Sequence, residues 1–254
     1  MGIGYKISGG ANFAAIRCGV DLAVKGNAEG LFLFGSSEEE SARNWVASKP
    51  NGIWTGAPTL AANEASFDPS ASKYLTTGID DFNDMTWIMV VRSDQTLGVG
   101  QGDPYFASTN TGLSVVGGRS IFGMSMRVEA DTGALTLFVP RYNGVSSQNQ
   151  TLGISAVNSP PMNAWSIIAC RYTDTVQKLD DVLRAKAVSA AATVARDRTT
   201  NKLRIGSRYG TSTGSGTTRQ AAALFYSRAL SDGELVTAAI QVKALVEQRG
   251  IVFV

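Results

Sequence analysis

The sequence predicts an all-β, antiparallel sandwich with one helix near its C-terminus, and three observations lead there. Short apolar runs of strand length recur from Leu31 to Tyr226, several of them alternating with period two. The links between them are rich in Gly, Asn, Asp and Ser, the residues that turns demand. One late stretch has helical periodicity: Leu235, Ala239, Val242 and Val246, spaced by four, three and four, share a face.

In chain order, residues 1–28 read as an N-terminal arm rich in Gly and Ala, and residues 29–254 as a single domain. The arm carries Ile3, Ile7, Phe13, Ile16, Val20 and Leu22 without regular spacing. It is either an irregular segment lying on the domain or an attachment segment whose apolar residues need a cover. Leu31–Phe34 is the first strand. Glu38-Glu39-Glu40 follows as a solvated loop or as a helical first turn favoured by the helix dipole. Residues 51–67 are turns and short edges. Strands are then expected over Tyr74–Gly78 and Met85–Arg92. In the second, Trp87, Met89 and Val91 lie on one side and Ile88 and Val90 on the other, as in a strand covered on both faces.

Ser120–Val128 alternates, with Phe122, Met124, Met126 and Val128 on one face, and Ala134–Val139 does the same. A short Asp/Gly hairpin loop, Glu129–Gly133, joins them. Further strands are expected at Trp165–Tyr172, Leu183–Val188, Leu203–Gly206 and Ala222–Tyr226, with a flexible loop at Gly210–Thr218. Ser231-Asp232-Gly233-Glu234 is a capping box that starts the helix, Gly250 stops it, and Ile251–Val254 reads as a last short strand.

Composition narrows the function. A chain of 254 residues with 44% hydrophobic and 17% charged residues suits one large all-β domain. No apolar run approaches the ~20 residues that span a bilayer, and the opening MGIGYKISGG lacks the pattern of a secretory signal. A net charge of +2 without a Lys/Arg cluster argues against a nucleic-acid partner. Histidine is absent, which removes Ser-His-Asp and Cys-His catalysis and histidine-ligated zinc. Cys18 and Cys170 read as unpaired thiols.

The run Leu224-Phe225-Tyr226-Ser227-Arg228-Ala229-Leu230-Ser231-Asp232-Gly233-Glu234-Leu235 resembles the closing signature of concanavalin A-like lectin/glucanase domains, among them the laminin-G-like jelly rolls. These end on a strand, a Y-x-R-A-L-S-x-x-E turn and a short helix. Met85–Arg92, Asn163-Ala164-Trp165 and Leu203-Arg204-Ile205-Gly206 resemble internal strands of the same family, so the resemblance spans about residues 30 to 250. Ser41–Trp45 and Gly56–Thr59 add a likeness to the jelly rolls of bacteriophage virion and tail proteins. That resemblance implies a concanavalin A-like jelly roll acting as a non-enzymatic structural or adhesion protein of a virion assembled in the bacterial cytoplasm. Its implied partners are other virion subunits, met through the N-terminal arm of a homo-oligomer, and host-surface glycan. The alternatives are a free-standing carbohydrate-binding module and a polysaccharide-acting glycosidase.

Glycoside hydrolysis needs two opposed carboxylates; the nearest pair, Glu129 and Asp131, belongs to the expected hairpin tip, and no catalytic residue is expected. Calcium needs 6–8 oxygen ligands; Asp80, Asp81 and Asp84 supply carboxylates, but aspartates bonded to their own turn are the favoured reading, and neither metal nor cofactor is expected. Sugar binding uses aromatic faces beside amide and guanidinium donors. Arg141, Tyr142 and Asn143, directly after a strand, form the leading cluster, with Trp54, Tyr105 and Tyr209 as further rings in loop-like sequence; each ring is otherwise a seal on the sandwich edge. Trp87 and Trp165 sit within strands and are expected in the core.

Overall fold

The computed structural model describes residues 19–67, 72–94, 98, 102–155, 163–209 and 216–253. Its strands are β1 (Ala28–Leu33), β2 (Ile53–Thr55), β3 (Thr59–Leu60), β4 (Ala65–Phe67), β5 (Tyr74–Thr76), β6 (Met85–Arg92), β7 (Tyr105–Ser108), β8 (Gly112–Leu113), β9 (Ser120–Ile121), β10 (Ser125–Val128), β11 (Leu135–Tyr142), β12 (Ser147–Ile154), β13 (Ser166–Tyr172), β14 (Val176–Asp181), β15 (Lys186–Ala191), β16 (Arg204–Ile205) and β17 (Thr218–Tyr226). The helices are α1 (Glu38–Ala42) and α2 (Asp232–Glu247).

Strand β6 shows how sequence becomes architecture. Trp87, Ile88, Met89, Val90 and Val91 are all completely buried, so both faces of the strand are covered. β6 lies inside an eight-stranded antiparallel sheet of order β15-β14-β13-β6-β17-β4-β3, with β1 also pairing with β17. A seven-stranded sheet, β12-β11-β10-β7-β16-β5-β2, packs on one face. Trp87, Met89 and Val91 point into the layer between the sheets, where they meet Met126, Leu137, Ile205 and Phe225. The Trp87 ring sits edge-on to Phe225 and to Tyr172, with centroids 6.1 and 6.2 Å apart.

Ile88 and Val90 point the other way, into a second apolar layer under α2. There Leu235, Ala238, Ala239, Val242 and Val246 cover Ala222, Leu224 and Tyr226 of β17. Full burial of each large side chain contributes about 1.5–3 kcal/mol. The helix begins at a complete capping box: Ser231 Oγ accepts from the Glu234 amide, and the Glu234 carboxylate accepts from the Ser231 amide. Gly250, at φ +92°, closes its C-terminal end.

Several expectations change. Ile251–Phe253 forms no strand; Ile251 is buried, and its backbone N–H donates a hydrogen bond to Val246 O of α2. Leu183–Val188 straddles the turn of a β14–β15 hairpin: Arg184 and Ala185 lie in the turn between Asp181, the last residue of β14, and Lys186, the first of β15. Polar Ser147–Ile154 is the edge strand β12, which needs only one apolar row and so shows little in the sequence. Ser120–Val128 is broken into β9 and β10. At Gly123 a Cβ would lie 2.3 Å from Thr109 O, and this close approach turns Phe122 outward to 62% exposure while Met124, Met126 and Val128 go inward. The glutamate run forms the first turn of α1, capped by Ser37.

Of the N-terminal segment, residues 1–18 lie outside the described residues, as do Cys18 and residues 210–215 of the expected loop. Leu22 and Val24 are buried in the layer beneath α2, and Gln241 of that helix bonds the backbone of Asp21 and Ala23. Cys170 is a buried free thiol, whose burial pushes it well above the ordinary thiol range. No helix among the described residues is long and apolar enough to cross a membrane.

Candidate functional site

The solvent-facing side of the seven-stranded sheet carries a row of arginines and aromatic rings. Alternation decides which residues reach it. On β10, Met126 and Val128 enter the core, so Arg127 faces out. On β16, Ile205 enters and Arg204 faces out; on β5, Leu75 enters while Tyr74 and Thr76 face out. On β2, Trp54 packs inward and Ile53, opposite Thr76, stands 73% exposed. On β7 a register shift opposite Met126 and Arg127 leaves Phe106 unpaired and core-facing and brings Tyr105 opposite Arg127. A bulge of this kind re-aims a side chain that strict alternation would bury.

Neighbouring strands bring these groups into contact. Arg127 lies over Phe138 of β11 (4.4 Å to the ring centroid) and donates 2.6 Å to the Tyr105 hydroxyl. Arg208 donates 3.3 Å to the same hydroxyl. Arg204 is held between two tyrosine rings, Tyr74 and Tyr209, each centroid 3.5 Å from its guanidinium carbon. It also donates 3.0 Å to the Arg208 carbonyl. Tyr209 in turn donates 2.8 Å to the carbonyl of Lys202. Burial lowers the Arg204 guanidinium and raises the Tyr209 phenol from their ordinary values; each opposes the shift of the other. From Phe138 to Ile53 the row crosses six adjacent strands, about 24 Å at the usual spacing.

The charges in the row are not equally matched. Arg127 pairs with Asp103 at 2.5 Å and reaches Glu129 at 4.0 Å. Among the described residues, Arg204 and Arg208 have no carboxylate within the 4.0 Å of an ion pair. Both are partly exposed, as are Tyr74 and Tyr209.

The residues expected to bind sugar are dispersed. Tyr105 and Tyr209 belong to this row, but Tyr105 is buried beneath the guanidiniums and serves as their platform. Arg141 is buried and donates to the carbonyls of Thr173 and Asp174, so it braces a loop and cannot meet a ligand. Burial and the adjacent Arg196 pull it down to about 10. Tyr142 stacks on Arg119 at 3.5 Å, and the Asn143 side chain accepts from the amides of Val145 and Ser146 within the β11–β12 turn. Trp54 stacks on Phe67 in the interior and donates to Glu38 O. Tyr74, Arg127, Phe138, Arg204 and Arg208 were missed. The first four are the outward residues of alternating strands, and Arg208 follows β16 in a turn, where no local pattern marks it.

The acidic candidates diverge. Asp81 turns inward onto Arg196, Asp80 outward onto Lys202 at 2.6 Å, and Asp84 is exposed. Glu129 and Asp131 sit on the β10–β11 turn, closed by bonds between Glu129 and the backbone of Gly133 and Ala134. Among the described residues no group of three or more His, Cys, Asp or Glu is placed to hold a metal ion. A cleft of about 300 Å³ beside the start of α2 is lined by Arg171, Lys178 and Asp232, whose charges pair with one another and with Asp180.

No protein-family model and no curated protein matches the sequence. The fold matches solved botulinum neurotoxin binding domains. The receptor-binding domain of neurotoxin D aligns with TM-score 0.60 and 10% identity over 85% of this chain and 53% of that one. The serotype D ligand-binding domain in complex with N-acetylneuraminic acid aligns with TM-score 0.55 and 9% identity over 91% and 53%. The serotype G binding domain aligns with TM-score 0.57 and 11% identity over 88% and 51%. This chain thus spans about half the length of the chains it matches. The fold is a concanavalin A-like jelly-roll sandwich, mainly antiparallel β with one C-terminal helix.

Proposed function

We propose that the chain is a non-enzymatic carbohydrate-binding domain that serves adhesion, carried on a bacteriophage particle and contacting glycan on the host surface. The observation that carries the binding role is the row of exposed Ile53 and partly exposed Tyr74, Arg204, Tyr209 and Arg208, where apolar surface lies beside guanidinium donors held in place by stacking. Sugars present apolar CH faces and a rim of hydroxyls, which such a surface matches. Support for glycan binding also comes from the shared fold, since one matching domain was solved with N-acetylneuraminic acid. The particle setting rests on the sequence likeness at Ser41–Trp45 and Gly56–Thr59. In that setting the chain is a homo-oligomeric virion subunit that meets other subunits through the part of the N-terminal arm that precedes Leu22, and makes no use of a cofactor. Hydrolysis is not part of the reading, because Glu129 and Asp131 share one turn and do not oppose each other across a cleft.

A glycan array probed with the full chain and with Tyr74→Ala tests the binding role. Retention of bacterial surface glycans by the parent and their loss by the variant is the expected result; an array without a single retained glycan would reject it. Antibody labelling of purified particles tests the setting, and unlabelled particles would remove it.

A further inference from the structure

The two guanidiniums without a carboxylate partner among the described residues define the ligand more closely than an aromatic surface does. We infer that the sugar bound on this face is anionic, and that Arg204 and Arg208 receive its carboxylate or sulfate. This rests on the carbohydrate-binding reading and specifies it.

Several arginines are neutralised by the chain's own carboxylates: Arg127 by Asp103, Arg171 by Asp180, Arg184 by Asp181, Arg219 by Glu64 and Arg228 by Glu234, while buried Arg141 is held by carbonyls instead. Arg204 Nη1 donates to the Arg208 main-chain carbonyl, the Arg208 guanidinium lies over the neighbouring Tyr105, and no described carboxylate reaches either. The stacking of Arg204 also gives direction. With a tyrosine on each face at 3.5 Å, a planar guanidinium can offer donors only along its edge. Carboxylate and sulfate oxygens match that edge, through short charge-assisted bonds. Because the rings already fix the side chain, little conformational freedom remains to be lost on binding.

The surroundings favour a sugar acid over a polyanion of another kind. The next cation along the rim, Lys202, is already paired with Asp80, and Arg127 with Asp103. A nucleic acid would need a longer run of free cations to follow its phosphates. The neighbours are instead Ile53 and Tyr74, apolar surface that suits the CH face of a pyranose ring.

Equilibrium binding of the full chain to a uronic-acid polysaccharide, to the same polymer with its carboxyls reduced to alcohols, to a sulfated dextran and to single-stranded DNA tests this. The expected result is binding to the uronate or the sulfated polymer, at least about tenfold tighter than to the reduced one, the scale of one charge-assisted pair. Which of the two polymers is preferred identifies the anion. Arg204→Gln and Arg208→Gln should each remove that preference. Arg208→Gln, whose side chain is not sandwiched, carries the test if Arg204→Gln fails to fold. Equal affinity for the native and reduced polymers, lost in Tyr74→Ala, would leave a carbohydrate-binding domain and overturn the anionic ligand. DNA bound as tightly as the best glycan would overturn it as mere charge attraction. Failure to bind any of these or any neutral glycan would reject both readings together.

Discussion

Asp81 and Arg196 form an ion pair in which both side chains are completely shielded from solvent. The aspartate's second oxygen accepts from the Thr199 amide at 2.9 Å, and Arg196 also donates to the carbonyl of Phe82. The pair thereby ties the loop before β6 to the loop before β16. Losing one partner would strand a buried charge, so Asp81→Asn should cost about 3–5 kcal/mol. Asp80→Asn, which removes only the exposed pair with Lys202, should cost about 0–1 kcal/mol. Chemical denaturation of the two variants checks the contrast. Equal losses would point to a shared role for the aspartates, such as a common cation.

Trp87 and Trp165 occupy different layers, Trp87 between the sheets and Trp165 beneath the helix-covered face. Each is nearly or fully buried, and truncation of either to Ala should destabilise by about 3–5 kcal/mol. Thermal melts report this; an unchanged transition in Trp165→Ala would detach that residue from the outer layer.

Ser231→Ala should cost about 0.5–2 kcal/mol, and Ser231→Asp should be close to neutral, because a carboxylate also caps. The same motif responds to acid. Bonds from Arg228 and from Ser231 hold the Glu234 carboxyl down at about 2. A carboxyl lowered on folding stabilises fully above its unfolded value near ~4.3, and that contribution is lost as pH falls toward about 2. Melting curves across this window should show a smaller acid-induced loss in Glu234→Gln than in the parent.

Incubation with β-glucans and bacterial surface polysaccharides should release no reducing ends. Cleavage abolished by Glu129→Gln or Asp131→Asn would show that the β10–β11 turn carries catalysis after all.

Removal of residues 1–27 should destabilise the domain more than removal of residues 1–18. The longer deletion takes away Leu22 and Val24, each worth about 1.5–3 kcal/mol when fully buried, together with the bonds to Gln241. Paired unfolding curves separate the two truncations. Identical curves would mean that the Leu22–Val24 segment adds nothing to the outer layer.

The sequence by itself determined what local pattern can encode. β6 had to be covered on both faces because Trp87 through Val91 leaves no polar side, and α2 had to start at Ser231 because serine and Glu234 satisfy each other's amides. Strand β12 and the β14–β15 hairpin were harder to read, since an edge strand needs only one apolar row and tolerates polar residues in the other. The candidate site was decided by tertiary structure alone. Tyr74, Tyr105, Arg127 and Arg204 are far apart in the chain, and each is merely the outward residue of its own strand. Strand order made them neighbours, the bulge at Phe106 turned Tyr105 toward Arg127, and the turn after β16 laid Tyr209 over Arg204. Arg141, next to a predicted strand end and rich in donors, looked available in the sequence; the loop at Thr173 and Asp174 closes over it. Exposure depends on what the rest of the chain leaves uncovered, and no local pattern records that.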